Sequence, residues 1–108
     1  MAAQIAFLTS TVDEMPRAAA GMKVMVAQWA AGRPEALAKT LNDDVDSSPE
    51  VKKVLLVDRN KRWADWIDQR MKQPGVVFIA VGAGHLAGRD SVLEQLKAHH
   101  LFAQRVKY

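Results

Sequence analysis

The chain has 108 residues, 49% apolar and 25% charged, with a formal net charge of +3, which fits one small globular domain and leaves no room for two. With no cysteine, disulfides, thiolate metal sites and cysteine nucleophiles are excluded. The densest basic cluster, Lys52, Lys53, Arg59, Lys61 and Arg62, is interleaved with Glu50, Asp58, Asp65 and Asp68, so it does not form the one-signed stripe a nucleic-acid partner requires.

Ala3–Thr11 reads as a short helix, with Ile5 and Leu8 on one face. The segment MAAQIAFLTS has neither the basic n-region nor the apolar h-region of a signal peptide. Asp13 is a candidate N-cap, with Pro16 in the first turn. Met15, Ala18, Met22, Met25 and Trp29 then recur at steps of 3 and 4, the stripe of an amphipathic helix whose methionines are expected in the core. Gly32 ends that helix as a C′ residue and Pro34 opens the next at its first position. Leu37 and Leu41 share a side of this short helix, and Asn42–Ser48 reads as a polar loop. Asp44–Ser48 has the opening of a calcium loop, but Pro49 and Leu55 stand where that loop needs Gly and Glu.

Ser48-Pro49-Glu50 starts a long helix. One face carries Leu56, Asn60, Trp63, Ile67 and Met71, and the opposite face carries charged pairs such as Asp68–Lys72. Pro74-Gly75 stops it. Val76–Val81 is an apolar run rich in β-branched residues, the pattern of a strand buried on both faces, and it is far too short to span a membrane as a helix. A glycine-rich loop, 82–88, follows. Ser91-x-x-Glu94 resembles a capping box for a helix carrying Val92, Leu93 and Leu96, and Phe102–Val106 reads as a last strand. The expected fold class is therefore α/β: a helix-rich N-terminal part, then strand–helix–strand. Two strands make a poor sheet, so pairing with another copy or another segment is expected.

The sharpest candidate site is the loop Gly82-Ala83-Gly84-His85-Leu86-Ala87-Gly88. It lies at the carboxyl end of the predicted strand, where α/β proteins bind ligands, and its glycines let backbone approach a ligand. It is neither a dinucleotide fingerprint nor a P-loop. His85 suits a metal ligand, a base or a hydrogen-bond donor; the plainer alternative is that it ties down a turn. Arg59 and Asn60 form the second candidate. Arg59 suits a carboxylate or phosphate, and Asn60, on the apolar stripe, needs an inward partner, which a structural hydrogen bond to the loop would also satisfy. His99-His100 sits at a helix end, where a cation complements the dipole.

The residues resemble the TraB/GumN family, which is related to Tiki-type proteases. The resemblance covers nearly the whole chain: Trp29 and Gly32 in QWAAG, LLVDRNKRWADWI (Leu55–Ile67), PGVVFIAVGAGHLAGRDSVLEQL (Pro74–Leu96), and a closing segment ending in Arg105-Val106. It implies the C-terminal part of a larger α/β domain, grouped with the erythromycin-esterase/ChaN-like proteins, that carries two Gly-x-x-His motifs and an acidic residue in a metal-dependent hydrolase or peptidase site. Gly82 and His85 match the second motif, and Arg59 and Asn60 match the family's Arg-Asn. Gln4 matches the glutamine that follows the family glutamate, Asp58 stands where many members have Glu, and His99-His100 where many have Gly.

The first Gly-x-x-His and the glutamate are not in this sequence. The expectation is a catalytically incomplete part of the site, with His85 and Arg59 catalytic, Asn60, Gly82 and Gly84 binding, and His85 as a ligand for a divalent metal that only the complete domain would hold. The alternative is a non-enzymatic binding or self-association module. Expected partners are another copy or the missing N-terminal half. Members of the family are often exported or periplasmic.

Overall fold

Alanine and other good helix formers dominate the N-terminal segment, and two helices form there: α1 (Ala2–Glu14) and α2 (Ala18–Ala30), joined by a 3-10 turn at Met15–Arg17. The computed structural model describes residues 1–46 and 48–107. Asp13, read as a cap, lies inside α1, because the chain turns two residues later with Pro16 in the tight turn. At the end of α2 the Gly32 N–H donates to the Trp29 carbonyl and the Arg33 N–H to the Gln28 carbonyl, both at 3.0 Å, with Gly32 at φ +63°. This is the paired-bond stop that glycine makes possible.

Pro34 opens α3 (Pro34–Asp46). The expected loop from Asn42 is thus helical as far as Asp46, held in part by Lys39 reaching Asp43 one turn on, at 2.9 Å. That removes the calcium-loop geometry at Asp46, which instead pairs with Lys52 at 2.8 Å; Ser47 lies outside the described residues. The long helix is three pieces in sequence: α4 (Pro49–Lys52), a π turn at Lys53–Val57 and α5 (Asp58–Met71). The wide turn has a consequence for register. Val51 and Leu56 are five residues apart, yet both are buried on the face that continues through Asn60 and Ala64, a spacing a regular α-helix would splay. After Pro74-Gly75 and the loop, α6 (Val92–Lys97) opens with Ser91 Oγ accepting from the Glu94 N–H at 3.2 Å.

The α/β expectation is overturned. Among the described residues there is no strand and no sheet, and residues 76–81 and 102–106 make no ladder hydrogen bonds. Val76 is 98% and Phe78 91% exposed. A strand buried on both faces needs neighbours to pair its backbone and cover its side chains. Among the described residues no other segment forms a strand to supply them, so the run stays open to water.

The methionine stripe is also not core. Met15, Met22 and Trp29 are exposed, and neither α1 nor α2 contains a buried residue. The core lies where α3, α4, α5 and α6 meet, at Ala38, Val51, Leu56, Ala64, Val92 and Leu96, with Trp63, Ile67, Leu93 and Leu101 packed around the α5–α6 contact. The result is a slab of 49 × 38 × 19 Å. Its radius of gyration is 15.6 Å, against roughly 13 Å for a compact domain of this size. No helix among the described residues is long and apolar enough to cross a membrane.

Candidate functional site

The loop after the apolar run folds back as a short 3-10 turn, Ala83–His85, in which the His85 N–H donates to the Gly82 carbonyl and the Leu86 N–H to the Ala83 carbonyl, both at 3.0 Å. The turn lies on α3. Asn42 Nδ2 donates to the Gly84 carbonyl at 3.0 Å, and a Cβ built on Gly84 would stand 2.8 Å from Asn42 Oδ1. Glycine at 84 is therefore a close-approach residue: a larger side chain forces the Asn42 carboxamide to shift. Gly82 faces open space and lines the cleft described below.

His85 is held on two sides. Its Nδ1 lies 2.8 Å from Asn60 Oδ1, and its ring lies 4.6 Å from the Trp63 ring, centroid to centroid, tilted by 55°. Asn60 and Trp63 are both on α5, one turn apart, so a single helix face positions the imidazole. Asn60 is completely buried. Its Nδ2 donates to the Asp90 carbonyl at 2.6 Å. The Asp90 carboxylate is in turn 2.9 Å from Lys52 Nζ, which also holds Asp46. Hydrogen bonds to Asp46 and Asp90 raise the Lys52 pKa above its ordinary value. The His85–Ser91 connection is thus gripped at Asp90 from both α4 and α5.

Arg59, Gly82, Gly84 and His85 line one open cleft of about 290 Å³. Leu41, Val45, Leu55 and Leu56 form its apolar walls, and Asn42 adds a polar group. Among the described residues Arg59 makes no ion pair and His85 Nε2 makes no hydrogen bond; Nε2 is also not a buried unpaired atom. Partial burial, and then the Arg59 charge, hold the His85 pKa below its usual value. The lowered pKa favours the neutral ring, the form that accepts a proton or a metal. A neighbouring cleft of about 160 Å³ carries Lys39, Asp43, Asp46, Lys52, Arg89 and Asp90, whose charges largely pair with one another.

Four of the residues expected from sequence share the cleft. Asn60 does not line it; it lies behind His85 and makes the structural hydrogen bonds. Asn42, Lys52 and Asp90 were not singled out for the site. Asn42 falls one turn after buried Ala38 on α3, a position that becomes legible once the helix is carried to Asp46. Among the described residues no group of three His, Cys, Asp or Glu gathers to hold a metal ion. His85 brings a single donor nitrogen to the cleft, whereas a catalytic metal usually takes three protein ligands. These residues alone do not fit such a centre.

His99, read only as a helix-end cation, bridges α6 to α5: its Nε2 is 3.0 Å from Asp65 and its Nδ1 3.6 Å from Asp68.

Searches of curated proteins and of solved structures return no match to this chain. The profile of the TraB/PrgY/gumN family matches residues 1–102, nearly the whole chain, and the chain belongs to that family.

Proposed function

We propose that the cleft is the histidine–arginine part of a hydrolase site of the TraB kind. Arg59 takes the carboxylate or phosphate of a substrate, and His85 offers Nε2 to the reacting group as base or ligand nitrogen. The observation that carries this reading is that an arginine with no ion pair among the described residues and a hydrogen-bonded histidine whose pKa is held low line one cleft, beside backbone left bare at Gly82. Metal-dependent hydrolysis would need ligands besides His85. The test is an NMR titration of the chain with inorganic phosphate and with an N-acetylated dipeptide. The Gly82, Gly84 and His85 resonances should move together, and the response should vanish in Arg59→Ala. A response elsewhere on the molecule, or one that survives Arg59→Ala, overturns the reading.

One observation favours a second, non-enzymatic reading, in which the chain binds another copy of itself. Val76, Phe78, Phe102 and Val106 are all more than three-quarters exposed, an apolar display that monomers rarely leave uncovered when it is contiguous. Light scattering should then show mass above the monomer as concentration rises; a monomer throughout overturns it.

A further inference from the structure

Two hydrogen bonds at Asn60 determine which nitrogen of His85 carries the proton. The Asp90 carbonyl oxygen can only accept, so the Asn60 atom facing it at 2.6 Å must be the amide nitrogen. The other end of the carboxamide, facing His85 Nδ1 at 2.8 Å, is then the oxygen, which also only accepts. Nδ1 must therefore donate. In a neutral imidazole one nitrogen donates and the other holds the lone pair, which leaves the lone pair on Nε2. The amide cannot flip without setting oxygen against oxygen at the Asp90 carbonyl, in a position with no access to water.

We propose that Asn60 is the positioning residue of the cleft, fixing neutral His85 as the Nδ1–H tautomer so that Nε2 is its lone-pair nitrogen. Asn60 touches no substrate and acts through the ring. Its own orientation depends on Asp90, which Lys52 holds by the carboxylate, so the hold runs from α4 through the loop and α5 to the imidazole. This rests on the reading of His85 as the working group of the cleft, but it is tested without any ligand.

The experiment is a long-range ¹H–¹⁵N correlation spectrum of the imidazoles in the wild-type chain, above the pH at which His85 is neutral. The expected pattern is a pyrrole-type shift at Nδ1, a pyridine-type shift at Nε2, and a nuclear Overhauser contact from the Nδ1 proton to the Asn60 side-chain amide. A pattern protonated at Nε2, or one averaged between the two forms, overturns the proposal. In Asn60→Ala the shifts should move toward the average of the two tautomers; a folded Asn60→Ala that keeps the pure Nδ1–H pattern also overturns it. The wild-type spectrum decides the matter even where Asn60→Ala does not fold. A chain with the Nδ1–H pattern but no response to phosphate or dipeptide would uphold this inference while defeating the anion-binding function.

Discussion

Asn42 and Gly84 are locked together across α3 and the histidine turn: the asparagine amide donates to the glycine carbonyl at 3.0 Å, and its oxygen stands 2.8 Å from where a Cβ on residue 84 would be. Asn42 cannot swing away from a new methyl group without giving up that bond. Gly84→Ala should therefore cost about 1–3 kcal/mol, a lost hydrogen bond plus local strain. Because the clash and the bond involve the same pair, Gly84→Ala in an Asn42→Ala background should cost less than in wild type. Urea melts of the four proteins check this; strict additivity would contradict the contact.

Arg59 and Asn60 are neighbours in sequence with opposite environments, and their substitutions should separate binding from stability. Arg59 is exposed with no ion pair among the described residues, so Arg59→Ala should change stability by no more than about 0.5 kcal/mol while removing phosphate binding. Asn60 is fully buried with both ends of its amide bonded. Asn60→Ala strands the Asp90 carbonyl and the His85 ring nitrogen and should cost about 2–4 kcal/mol. Denaturant melts with phosphate titrations are the measurement; an Arg59→Ala that is as destabilised as Asn60→Ala would make the arginine structural.

Signals made within a few residues match the structure, and signals that depend on neighbouring segments do not. Gly32-x-Pro34, Pro74-Gly75 and Ser91-x-x-Glu94 mark helix ends through bonds made within a few residues, and the structure shows a glycine-terminated helix and a capping serine there. The inward asparagine at 60 was legible because it falls on the regular apolar stripe that continues through Trp63 and Ile67. The strand at Val76–Val81 was not decidable in this way: β-branched composition reports a preference for a pleated, covered surface, and the cover must come from other segments. The methionine face of α2 failed for the same reason, since periodicity says which residues share a face and not whether anything packs on it. The π turn at Lys53–Val57 has no sequence pattern of its own, and it is what brings Val51 onto the face of Leu56 and Asn60.

His85 makes the fold sensitive to mild acid. Its folded pKa lies below the ordinary value of 6.5, first through burial and then through Arg59. As pH falls, the unfolded chain takes up the proton before the folded one does, so stability declines from near pH 6.5 down to the folded pKa and is flat, in this contribution, below it. Above pH 6.5 both states are neutral at this residue and nothing is lost. The His85 Hε1 resonance should titrate below its value in the unfolded chain, and Arg59→Ala should move the midpoint up by removing the second cause. A midpoint at or above 6.5 in the wild type would contradict the assignment.

The adjacent histidines at the end of α6 should respond in opposite directions. His100 has φ +58°, and the Leu101 N–H reaches back to the Leu96 carbonyl at 3.1 Å, so His100 occupies the left-handed position that glycine usually fills at a helix end. A left-handed backbone costs a non-glycine residue roughly 1–2 kcal/mol, and glycine's extra freedom in the unfolded chain gives back about 0.5–1 kcal/mol of that. His100→Gly should therefore stabilise the protein by about 0.5–1 kcal/mol. His99 is the bridge to Asp65 and Asp68 on α5, and His99→Ala should destabilise by about 0.5–1 kcal/mol, the scale of one side-chain hydrogen bond. Urea midpoints at one pH resolve both signs. A His100→Gly protein that melts earlier than wild type would mean that the histidine side chain contributes more at this turn than its backbone strain removes.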